Sequence, residues 1–193
     1  MPGLKSNKPR LYLAIYSTPD PNHLAFTFIV APKTESNDPR VLDATKYRCR
    51  RNITNTSPAS SMTQTISLTN GSQPLKWLVE KLAVNVATDP ELLVRVCLGK
   101  LDNQRALEHA LSKVPVSQND PDFTPEWWMQ MAWSQIQHEQ ILSKESKWTW
   151  ATIQTTTSRY LQEKTKAERL STQKRAVQPA PVYDMISKKE LIA

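Results

Sequence analysis

The sequence predicts an α+β fold, an antiparallel sheet packed against about three helices. Three observations carry this. Runs of apolar, aromatic and β-branched residues with two-residue alternation fill the first half; the apolar spacing turns helical from residue 102; and the order is strands first, helices later, not the alternation a doubly wound sheet needs. Only three glycines occur among the 193 residues, and neither GxGxxG nor GxxxxGK[ST] is present, so phosphate-cradling nucleotide folds are poor readings.

Each element follows from local pattern. RLYLAIYS (10–17) and LAFTFIVAP (24–32), separated by a PDPN turn, read as a strand pair. DATKYRCRR (43–51) reads as a third, half-exposed strand with Tyr47 and Cys49 on one face. Residues 53–72 are polar, twelve of the twenty being Ser, Thr or Asn, with a weak strand at TQTISLT inside a loop. LKWLVEKLAVNV (75–86) fits helix and strand equally, whereas ELLVRVCL (91–98) reads as a buried strand with Cys97 as core filler. A helix then begins with Asp102 as N-cap and Leu101, Ala106, Leu107 and Leu111 on its apolar side. After a Val-Pro-Val break, Thr124 as cap, Pro125 at the first helical position and Glu126 at the positive end of the dipole predict a helix over 125–142. Trp128, Met129, Ala132, Trp133 and Ile136 form its apolar stripe, and a third helix, basic towards its end, is expected over 148–170. These make one domain, 1–170, and a C-terminal tail, 171–193, partly docked through Val182, Tyr183, Met185 and Ile186.

The formal charge of +7 is unevenly placed: +5 over residues 1–51, −3 over 52–143 and +5 over 144–193. With no zinc-finger or RNP-type pattern, solvated helix faces and a basic tail explain it better than nucleic-acid binding. No stretch has the ~18 apolar residues a membrane span requires, and the start lacks signal-peptide architecture. Two cysteines, Cys49 and Cys97, suit a reducing compartment; the expectation is a cytoplasmic protein in which the sequons at Asn52, Asn55 and Asn70 are accidental. Three histidines, His23, His109 and His138, show no metal-ligand spacing, so neither metal nor cofactor is expected. Oligomeric state stays open, a homodimer included.

RLYLAIY, FTFIVAPK, LLVRVCLGKLDN, VPVSQNDPDF and YDMISKKELI together resemble a family of small fungal proteins of uncharacterised domains. The strand histidine, second histidine and helix-start cysteine of those relatives are similar to the permuted papain-like arrangement of lecithin retinol acyltransferase and NlpC-type thiol enzymes. In that arrangement a helix dipole stabilises a thiolate and a strand histidine takes its proton. The resemblance implies a permuted papain-like fold and places the three positions on Ala25, Cys49 and Pro125, all changed, while Trp128 matches the family's helix tryptophan. It leaves a cleft that Phe26, Tyr47, Cys49, Arg51, Thr124, Trp127 and Trp128 would border.

The expected function is therefore a non-hydrolytic descendant that binds a hydrophobic small molecule. Whether it is an enzyme is left open; if so, it is a cofactor-free cyclase or isomerase of fungal secondary metabolism, with His23, Tyr47 and Glu126 as its acid and base candidates. One alternative is a catalytically dead scaffold or regulatory binding protein. Another is a thiol enzyme with Cys49 as nucleophile, activated by Arg48, Arg50 and Arg51, and His23 as base.

Overall fold

A computed structural model describes residues 8–20, 23–51, 76–142 and 146–193; TQTISLT and the three sequons lie outside them. Five strands come first: β1 (Arg10–Ser17), β2 (Leu24–Ala31), β3 (Ala44–Arg51), β4 (Trp77–Val84) and β5 (Leu92–Lys100). Helices α1 (Gln104–Ser112), α2 (Pro125–His138), α3 (Trp150–Lys166) and the single turn α4 (Thr172–Arg175) follow, and two short strands, β6 (Val182–Asp184) and β7 (Lys189–Ile192), close the chain.

All seven strands form one sheet in the order β4-β3-β2-β1-β5-β6-β7. Every pairing is antiparallel except β5 with β6, where Arg95 faces Val182 and Cys97 faces Asp184 in parallel register. The fold is α+β, as the order of patterns predicts. The region that fits helix and strand equally is β4, because its residues pair in register with all of β3, from Ala44 opposite Val84 to Arg51 opposite Trp77. Residues 182–192, read as a docked tail, extend the sheet itself.

One face of the sheet carries the main core. Leu11, Leu13 and Ile15 of β1, Phe28 and Val30 of β2, and Val94, Val96 and Leu98 of β5 meet α1 through Leu107 and Leu111, α2 through Trp128, Met129 and Trp133, and α3 through Ile153 and Tyr160. Thr124 caps α2, accepting from the Trp127 N–H at 3.1 Å with Pro125 behind it in the first turn. The cap of α1 is Asn103, not Asp102. The Asn103 carboxamide accepts from the N–H groups of Arg105 and Ala106, while the Asp102 carboxylate accepts from Lys8 at 2.5 Å. The helices expected to reach 142 and 170 end at His138 and Lys166, where Gln140 and Glu168 take positive φ and turn the chain.

The opposite face is built differently. Tyr12, Ala14, Tyr16, Ile29, Cys97 and Val182 form a smaller cluster there. The segment after β2 is laid across that face: the Glu35 carboxylate accepts from the two terminal guanidinium nitrogens of the fully buried Arg95, at 2.5 and 2.9 Å. The Asn85 amide ties down the same segment by donating to the carbonyls of Ser36, Asp38 and Val41, each at 2.9 Å. Nearby Lys46 lies over the Tyr16 ring and 3.9 Å from Asp89.

Candidate functional site

The helix-side face of the β3–β4 ladder sets three cross-strand pairs in a row: Tyr47 opposite Lys81, Cys49 opposite Val79 and Arg51 opposite Trp77. At the edge strand the helices stop covering the sheet, so Val79 and Lys81 stay exposed. What bounds the row instead is α1, through Glu108, Leu111 and Ser112, and the link after it, through Val114 and Val116. The result is an open groove of about 320 Å³ lined by these residues and Tyr47.

The groove has an apolar body and a polar end. At that end the Tyr47 hydroxyl donates to Glu108 Oε1 at 2.8 Å and accepts from Gln104 Nε2 at 2.9 Å. Lys81 Nζ closes the set on Glu108 at 2.8 Å. Burial, then the hydrogen bond to Glu108, pushes the Tyr47 phenol well above the usual tyrosine range. The Lys81 ammonium holds the Glu108 carboxyl below the carboxylate range. The set is therefore a neutral phenol beside a carboxylate–ammonium pair, with no net charge at neutral pH.

Beyond Cys49 and Val79 the row continues as an aromatic ladder. The Arg51 guanidinium lies over Trp77 at 4.7 Å, Trp77 meets Phe123 at 5.2 Å, and Phe123 meets Trp127 at 5.5 Å between centroids. Contacts of this kind contribute roughly 0.5–1.5 kcal/mol each beyond the area they bury. Gln118 anchors the edge: its carboxamide accepts from the Trp77 N–H at 2.9 Å and donates to the Trp77 carbonyl at 2.8 Å, which occupies backbone groups that an edge strand would otherwise present.

The structure brings together Tyr47, Cys49, Arg51, Thr124, Trp127 and Trp128 on the helix side of the sheet, with Phe26 packed against the same core. Trp128 is fully buried core and does not border open space, whereas Trp127 is 39% exposed. Glu126 is half-buried in the first turn of α2, at the aromatic end and away from the Tyr47 set.

The other positions are not brought together. Ala25 packs on the opposite face, with the smaller cluster, so the positions taken from the thiol-enzyme resemblance fall on both sides of the sheet: Cys49 in the helix-side core, Pro125 heading α2 above it and Ala25 beneath. His23 precedes β2 and shares the face parity of Ala25; its Nδ1 is 2.6 Å from Asp20 and its side chain is 76% exposed. The Cys49/His23 dyad is thus not assembled. Nor do arginines activate the thiol: burial pushes Cys49 up to about 11, while Arg48 and Arg50 turn to the other face and bind Glu80 at 2.7 and 2.8 Å and the Arg51 guanidinium lies over Trp77.

Sequence reasoning did not single out Glu108, Gln104, Lys81, Trp77, Phe123 or Gln118. A signal existed for two of them, because Gln104 and Glu108 are four apart on one helix and so share a face. Among the described residues no three His, Cys, Asp or Glu side chains gather as a metal site, and no helix is long and apolar enough to cross a membrane. Comparison with curated proteins and with solved structures finds no match. The model of a family described as a family of unknown function (DUF6914) matches residues 8–192, nearly the whole chain, and the protein belongs to that family.

Proposed function

We propose that the protein binds a small, uncharged hydrophobic molecule in the groove between β4 and α1, with a hydroxyl or carbonyl of that molecule at the Tyr47–Glu108–Lys81 end. The observation that carries this reading is the groove itself: Val79, Leu111, Val114 and Val116 as walls and one hydrogen-bonding set at a single end. Because that set is neutral overall, a charged head would meet either Glu108 or Lys81 unfavourably, whereas a hydroxyl can both accept from Lys81 and donate to Glu108.

Binding is favoured over turnover. Burial raises the Tyr47 phenol and Lys81 lowers the Glu108 carboxyl, directions that suit a hydrogen-bonding pair better than proton transfer near neutrality. A cyclase or isomerase at this groove would draw on shape and dipoles, holding a reactive conformer of its substrate against the apolar walls.

The test is an NMR titration with 2-naphthol, a neutral aromatic hydroxyl of suitable size. Saturable amide shifts centred on Tyr47, Val79, Lys81 and Leu111, abolished in Val116→Asp, are expected. Shifts spread over the surface, or unaltered by Val116→Asp, overturn the reading.

A further inference from the structure

On the opposite face of the sheet a second cavity, of about 450 Å³, lies between β1, the segment after β2 and the terminal hairpin β6–β7. Its chemistry is the reverse of the groove's. Arg10 and Lys33 line it, and neither makes an ion pair among the described residues. Glu35, the acidic side chain of the lining, is already bound through both oxygens to the buried Arg95 guanidinium, so its charge is spent. The remaining field is positive.

Tyr12 supplies the second observation. It is 97% buried by its 3% exposure, lies beneath the Arg95 guanidinium at 5.1 Å, and lines the cavity; its hydroxyl has no hydrogen-bond partner among the described residues. The ring is packed in the core while its oxygen is not sealed off, so the hydroxyl is open to the cavity. The same lining includes apolar side chains, Ala87, Pro179, Val182 and Ile192.

We infer that this cavity is a binding site for a small amphiphilic carboxylate, its head held by Arg10, Lys33 and the Tyr12 hydroxyl and its hydrocarbon laid against Val182 and Ile192. A planar two-oxygen head suits the guanidinium fork of Arg10. The third donor, the phenol, has no partner among the described residues and is free to donate to the head. The inference is independent of the groove, which lies on the other side of the sheet and carries no net charge.

Sodium octanoate is the probe, followed by amide shifts at pH 7. Saturable shifts at Arg10, Tyr12, Lys33 and Ile192 are expected, with affinity falling about tenfold in the Arg10→Gln/Lys33→Gln double variant and several-fold in Tyr12→Phe. The conservative Tyr12→Phe change removes one oxygen and keeps the ring in the core, so folding is preserved. Val116→Asp, which disables the groove, leaves octanoate binding intact. Absence of saturable shifts at these residues, or equal affinity in the double variant and the wild type, overturns the site.

Discussion

Arg95 sits in the middle of β5 at zero exposure, and the free energy of keeping a charge there depends on one acidic partner, Glu35, from a segment sixty positions away. Removing one member of such a pair leaves an uncompensated charge, costing about 3–5 kcal/mol, whereas an apolar isostere for the cation is far better tolerated. Glu35→Gln is therefore expected to lose about 3–5 kcal/mol in urea unfolding and Arg95→Met clearly less. Cys49 gives a second test: with its thiol pushed up to about 11 and 5% exposed, it stays unlabelled by iodoacetamide at pH 7 until the chain unfolds. At this scale the sequence is least transparent. In ELLVRVCL the arginine reads as one polar position in a buried strand, and nothing local says that Glu35 will come to it. The same holds for Lys81 and Trp77, whose roles exist only once β4 pairs with β3.

Local chemistry is far better legible in whole elements. Thr124-Pro125-Glu126 announces the start of α2 because cap, fixed φ and dipole all act within one turn. Thr124→Ala is expected to lower stability by about 1 kcal/mol, read from the denaturation midpoint. Helix ends were less legible: the polar residues after His138 and Lys166 continue a helical pattern, and only the positive φ at Gln140 and Glu168 stops it. β4 was ambiguous for a physical reason too. LKWLVEKLAVNV has apolar residues at both spacings, and the choice falls to the hydrogen bonds that β3 offers. Where β5 meets the segment entering α3, Gly99 has no room for a side chain, since an added Cβ would run into Ser146 Oγ and come within 3.2 Å of its Cβ. Gly99→Ala should cost about 1–3 kcal/mol through overpacking, measured by thermal unfolding.

Across the whole molecule, ionisation sets the pH range of stability. Glu108 and Glu190 have folded carboxyls held below the ordinary 4.5, the first by Lys81 and the second by Lys164 and Tyr160 against the opposing effect of burial. Their contribution is complete above that value and is lost as pH falls through the lower folded ones. Tyr12, Tyr16, Tyr47 and Tyr160 lie on the other side of the scale. Burial raises all four above the ordinary 10.0, so the unfolded chain ionises first and stability declines as pH climbs past 10. Tyrosinate absorbance near 295 nm should accordingly rise for these four together with unfolding, not before it. Chain order adds a consequence of the parallel pairing between β5 and β6. β5, whose residues 92–99 are all buried, receives its outer neighbour from residues 182–184, with α1 to α4 lying between in the sequence. A nascent chain emerging from the ribosome must therefore carry an open, sticky strand edge from the time β5 is made until residues 182–184 follow. Chaperone engagement belongs to that interval, and a stop codon just upstream of Val182 should send the product into inclusion bodies although α1 to α4 have been made.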